Sequence, residues 1–160
     1  MMRQVQEHAR LKPVGESLII QMAVRFLTPF IQLFGLYVIA HGHYSPGGGF
    51  QGGVILGASF VLLAIAFDLQ TSLRRFSERT NALCGNLGVL LYVGTGLLCA
   101  LLGGLFLDYS ALTAIIPIDP VEWRSLGVFI VEVGVGLTVM SIMASLYWDI
   151  SSGGSLEEGL

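Results

Sequence analysis

Residues 50–67 read FQGGVILGASFVLLAIAF, a run with no ionisable side chain. In hydrocarbon such a run must satisfy its own backbone N–H and C=O groups, and a helix does so within the segment. About 20 helical residues cross the roughly 30 Å of a bilayer's apolar core. Counted from Phe50 to Leu69, this stretch has that length. Working outward, three more runs qualify, at about 18–40, 82–107 and 126–148. A lone chain with this pattern cannot close a barrel, so the spans are helices. The expected fold class is all-α: a polytopic membrane protein with four transmembrane helices.

Composition agrees. Of 160 residues, 54% are hydrophobic and 12% charged, about half the charged share of a soluble domain. A chain this short could not bury so much apolar surface in one aqueous core. The polar residues 1–17 lack a small-residue cleavage site, so they read as an N-terminal segment rather than a signal peptide. The membrane domain is 18–148, and 149–160 form a polar tail. Arg3, Arg10 and Lys12 precede the first span, and Arg74, Arg75 and Arg79 separate the second and third. The first and third connectors hold only Arg124. The positive-inside rule then puts both termini and the 70–81 connector in the cytoplasm. The net charge is −3, and no basic patch carries interleaved aromatics, so nucleic acid is not an expected partner. Cys84 and Cys99 fall on one helix about 22 Å apart, too far to bridge.

In lipid, small and polar residues mark the packed side of a helix. Gln21, Arg25, Thr28 and Gln32 form one line in the first span, which Pro29 interrupts with an expected kink. In the second, Gly49, Gly53 and Gly57 make two overlapping GxxxG units. Asn81, Gly85, Gly88, Tyr92, Thr95 and Cys99 align in the third, and Gly127, Gly134, Thr138, Ser141 and Ser145 in the fourth. These lines are expected to be packing surfaces.

Glu132 lies two residues before Gly134, so it points about 200° away from that line. A carboxylate facing lipid costs a few kcal/mol. The expectation is that the fourth span is sandwiched against another subunit on its Glu132 side. Arg25 has three readings: a pair with Glu132, extension of its guanidinium to the membrane surface, or a place in an ion path.

The connector before the second span completes the motif HGHYSPGGGFQGG, residues 41–53. Its GGGFQG matches a dinucleotide-binding pattern literally, but that fingerprint requires a preceding strand and a βαβ unit. A transmembrane helix precedes it here. His41 and His43 would face one metal only in an extended segment, with no third ligand near, so no metal and no cofactor is expected. Interfacial hydrogen bonding, or a histidine titrating beside a proton path, fits them better. Pro46 ends any helical continuation. Gly47, Gly48 and Gly49 permit the tight backbone that must tuck against protein or water at membrane depth.

This motif resembles the signature of the MnhB/MrpB family, the small B-type components of Mrp-type multi-subunit cation/proton antiporters, with relatives in membrane-bound hydrogenase and related respiratory complexes. The resemblance covers about residues 22–148. It implies a non-catalytic subunit of the prokaryotic plasma membrane. Its implied partners are the other antiporter subunits and membrane lipids, with Na+ and H+ as the ions the complex moves. It marks His43, Pro46, Gly47, Gly48, Gly49, Phe50, Gly52 and Gly53 as structural positions. Arg25, Glu132, His41 and His43 remain ion-path candidates on bottom-up grounds alone. Gly57, Gly85, Gly88, Gly134, Thr138 and Ser141 are packing positions. The rival reading is a self-sufficient proton-coupled exporter acting as a homodimer through Glu132. A membrane enzyme is disfavoured, because the nucleophile–base or acid–histidine sets that chemistry needs are missing.

Overall fold

The computed structural model describes residues 17–42 and 48–152, apart from Asp68 and the side chain of Gln70. Its helices are α1 (Leu18–Ala40), α2 (Gly48–Phe67), α3 (Leu69–Arg75), α4 (Glu78–Leu101) and α5 (Pro120–Ser152), with a 3-10 helix at Tyr109–Ala114. Among the described residues there is no strand. α1, α2, α4 and α5 are long and apolar enough to cross a membrane.

The helix ends differ from the expected ones for local reasons. α2 begins at Gly48, before Phe50. α4 begins at Glu78 because Ser77 caps it, its hydroxyl accepting from the Thr80 N–H at 3.2 Å. It stops at Leu101, where Gly103 turns the chain at φ +88°. Residues 102–107, expected as the end of the span, form this turn instead. α5 starts six residues early, at Pro120, where the Asp119 carboxylate accepts from the Val121 N–H at 2.8 Å. It runs past the expected boundary at Trp148 to Ser152. The short α3 occupies the connector expected as a loop. α1 continues through Pro29, whose ring is exposed.

The helices pack in the order α1, α2, α5, α4. α2 and α5 are the central pair and run parallel, and both work because glycine lets backbones meet. A methyl group on Gly53 would stand 2.6 Å from the Gly136 carbonyl oxygen, and one on Gly57 2.9 Å from Met143 Cβ. On the other side of α2, a methyl on Gly35 of α1 would meet Leu56 at 3.0 Å. On the other side of α5, a methyl on Gly134 would lie 2.8 Å from the Gly88 carbonyl oxygen, and one on Gly85 2.9 Å from Ser141 Oγ.

Polar bonds reinforce the α4–α5 contact. Asn81, 1% exposed, donates through Nδ2 to the Ser141 carbonyl at 3.0 Å and to Ser145 Oγ at 2.7 Å. The Ser141 hydroxyl donates back to the Asn81 carbonyl. At the far end, Phe76 stacks on Phe60 at 4.6 Å and meets Trp148 at 6.1 Å. This aromatic plug ties the α3–α4 turn to α2 and α5.

The two hairpins end at different heights. Gly49 of α2 lies against Glu132, twelve residues into α5. By helix rise, α5 therefore projects about 18 Å beyond the start of α2. The connector after α4 folds over the projecting part. The Tyr109 ring covers Gly127, Phe106 covers Gly96, and Trp123 Nε1 donates to the Ile116 carbonyl at 3.0 Å.

Candidate functional site

The candidate site is the corner of this step, where the carboxylate of Glu132 meets the glycines at the end of α1 and the start of α2. A methyl group on Gly42 would overlap Oε2, one on Gly48 would overlap Oε1, and one on Gly49 would overlap the Glu132 carbonyl oxygen. Gly42, Gly48 and Gly49 are all buried, and Gly48 has φ +28°, so only glycine fits there without strain. Oε2 is withdrawn from solvent. The first turn of α2 has N–H groups with no intrahelical acceptor, and its positive dipole end favours a negative charge at this place. The arrangement can hold a carboxylate where bare lipid would not.

This corrects the expected neighbour of Glu132. Its face does point away from the Gly134 line, but this chain's own α2 and the Gly42 turn cover it. α5 is sandwiched between α2 and α4 of this chain, with Glu132 on the side that meets α2. The signal was present in the sequence. Gly134 and Gly136 are two apart and so lie on opposite sides of a helix, which marks α5 as packed on both. Glu132, Gly136 and Met143 share the side that meets α2.

Arg25 does not pair with Glu132. Its Cζ lies 5.7 Å from the centre of the Phe67 ring, at the other end of α2. Arg25 and Gly42 are separated by about 25 Å of helix rise. Arg25 is exposed and stands off the packed side of α1, which consists of Val24, Thr28, Gly35 and Ile39. Thr28 satisfies its hydroxyl internally, donating to the Val24 carbonyl at 2.7 Å.

His41 caps α1. Its ring lies 4.1 Å from Tyr37, and Nδ1 is 3.1 Å from the Tyr37 carbonyl. His43, Pro46 and Gly47 fall outside the described residues. Phe50 is 60% exposed on the outer surface of α2, while Gly52 and Gly53 are buried. Gly52 faces α1, where a methyl would stand 2.8 Å from the Gly35 carbonyl oxygen. Ile39 and Gly42 are contributors that the sequence reading left out. With Gly35 they fall at offsets of four and seven, one line of a helix, and that spacing could have revealed them. Among the described residues, no three His, Cys, Asp or Glu side chains are grouped to hold a metal ion.

Residues 19–145 match the family described as "Domain related to MnhB subunit of Na+/H+ antiporter". The B-type component of the Na(+)/H(+) antiporter of Bacillus subtilis strain 168 is 36% identical over 130 residues, 78% of this chain and 90% of that protein. A relative in Staphylococcus epidermidis, designated antiporter subunit mnhB2, is 32% identical over 142 residues, 88% of this chain and 99% of its own. Among solved structures, a chain of the membrane-bound sulfane sulfur reductase, an archaeal respiratory membrane complex, is 30% identical with a TM-score of 0.52. That similarity covers 79% of this chain but only 56% of the other, so this protein spans little more than half of that relative. The glycine corner around Glu132 thus sits inside a match that runs from α1 to α5, and the chain belongs to the family of domains related to the MnhB subunit of Na+/H+ antiporters.

Proposed function

We propose that this chain is a non-catalytic membrane subunit of a multi-subunit cation/proton antiporter, needed for assembly and for ion translocation by its larger partners. The family match over residues 19–145 carries the reading. The helix packing supports it physically. Only 17% to 39% of the most apolar window of each span is buried. A row of helices in the order α1, α2, α5, α4 leaves broad sides uncovered, which suits a piece fitted between lipid and other subunits. The arginine-rich end, with Arg74, Arg75 and Arg79, is taken as cytoplasmic on the charge rule. The glycine corner then faces the outer side, where Glu132 meets Gly42 and Gly48 and stands near any path that opens there.

The likeness to a chain of a respiratory membrane complex supports a second assembly, in which ion movement is coupled to electron transfer. The homodimeric exporter has weaker support, since Glu132 is covered by this chain's own glycines. The test is a tagged chain expressed with its neighbouring genes, purified in mild detergent and assayed in everted vesicles. The expected result is co-purification of antiporter subunits, and loss of Na+-dependent proton exchange when this chain is deleted. Robust exchange by the purified chain alone in liposomes would overturn the accessory role. Co-purification of redox subunits would select the second assembly.

A further inference from the structure

Two guanidinium groups converge on one aromatic ring at the basic end. Cζ of Arg25, from α1, is 5.7 Å from the centre of Phe67, and Cζ of Arg75, from α3, is 5.5 Å from it. The two charges therefore lie at most about 11 Å apart. Neither has a carboxylate partner among the described residues, and Arg74 and Arg79 have none either. Each gains about 0.5–1 kcal/mol from the half-buried Phe67 ring, and no carboxylate among the described residues neutralises the pair. Arg25 lies seven residues into α1, and its guanidinium lies beside the last residue of α2.

We infer that Arg25 and Arg75 together bind the phosphate of an anionic phospholipid headgroup, with Phe67 as the platform between them. A phosphate offers several acceptor oxygens to two planar donor groups at once. Basic pockets between helices at the membrane surface are suited to such headgroups. A lipid fits better than a soluble anion because the outward surface around Arg25 is made for acyl chains: Met22 and Phe26 are 64% and 67% exposed. The cavity beside Arg75, lined by Phe60, Leu63, Phe67 and Ser72, is only about 40 Å³. It holds water-sized groups, so the acyl chains lie along the exposed side of α1.

The test is native mass spectrometry of the full-length chain in mild detergent, titrated with phosphatidylglycerol or phosphatidylcholine of matched acyl chains. The unmodified chain is expected to retain one phosphatidylglycerol under activation that strips phosphatidylcholine. R25Q/R75Q should bind it at least ~10-fold more weakly, about 1.4 kcal/mol. R25K/R75K should keep part of the binding, and R124Q, at the opposite end, all of it. Thermal unfolding without lipid checks that each variant is folded. If R25Q/R75Q fails that check, R75Q alone against R25K/R75K decides. Equal retention of phosphatidylglycerol by a folded neutralised variant would overturn the site. So would equal retention of phosphatidylcholine, or competition by inorganic phosphate as strong as by the lipid. Loss of partner subunits with lipid binding unchanged would mark the pair as a receptor for another subunit's carboxylate, and would also overturn it.

Discussion

Gly53→Ala adds one methyl group where α2 crosses α5. The new carbon would stand 2.6 Å from the Gly136 carbonyl oxygen, 2.9 Å from Gly136 Cα and 3.0 Å from Val139 Cβ. Two of these three atoms are backbone, so no rotamer change relieves the overlap. The helices must separate by several tenths of an ångström along a contact that also holds Gly49 and Gly57. Overpacking of this kind costs about 1–3 kcal/mol. Alanine's better helix propensity returns less than about 1 kcal/mol, so the net effect is destabilising. Gly57→Ala should cost less, because its nearest contacts, 2.9 Å to Cβ and 3.1 Å to Sδ, belong to the flexible Met143. Gly94→Ala meets nothing within 4 Å and should be neutral or stabilising. The assay is thermal unfolding of the three purified variants in one detergent, with recovery of co-purified subunits as a second readout. For a chain of this size each kcal/mol shifts the midpoint by on the order of 2–4 °C. The expected order of midpoints is Gly94→Ala highest, then Gly57→Ala, then Gly53→Ala. If Gly53→Ala unfolds with Gly94→Ala, the backbone contact between α2 and α5 does not hold the fold together.

Three other outcomes test separate parts of the structure. Asn81→Ala removes both side-chain bonds from α4 to Ser141 and Ser145. It should lower stability by about 0.6–1.7 kcal/mol, the range for hydrogen bonds between membrane helices, and an unchanged unfolding midpoint would contradict that role. Glu132→Gln keeps the size of the side chain against Gly42 and Gly48 but withdraws a negative charge from the start of α2. A loss of about 0.3–2 kcal/mol in unfolding is expected. Unchanged stability combined with impaired antiport would move Glu132 from anchor to ion path. Burial in the connector after α4 raises Tyr109 above its usual value of 10.0, with Cys99 adding to the effect. The unfolded chain thus loses this proton first as pH rises, and folding stability falls above about pH 10. Tyr109→Phe should flatten that limb of the melting curve.

The four spans were legible because bilayer thickness imposes a length on any apolar run that crosses it. Their order in space was not, because an apolar helix looks alike from every side. Two clues were usable, the Gly35, Ile39 and Gly42 line at α1 and the pair Gly134 and Gly136 in α5. Reading the Gly134 side alone gave a packed surface but assigned Glu132 to a neighbour outside the chain. The helix ends were set by groups that hydropathy ignores: the Ser77 cap, the φ of Gly103, and the Asp119–Pro120 start. Arg25 kept three readings open for a related reason. Its place in the sequence does not say which side chain its guanidinium meets, here Phe67 of α2.

These corrections bear on why the chain needs companions. A carboxylate exposed to lipid would have been one reason, and it is gone: the glycine corner covers Glu132. What remains is the outward surface of α1. Phe26, Phe30 and Phe34 are 67%, 57% and 57% exposed along one helix. Lipid alone can cover such a surface at no cost, so apolar exposure does not by itself require a protein partner. The stronger reason is the step. α5 projects about 18 Å past the start of α2, yet the connector after α4 covers it at Gly127 through Tyr109. The flank above the glycine corner is the place where a neighbouring subunit would change the environment of Glu132 most. Crosslinking from a cysteine placed at Phe50, exposed beside that corner, should therefore capture a partner subunit more efficiently than one placed at Leu101, which is 83% exposed at the end of α4. Equal capture from both positions would mean that the step does not direct assembly.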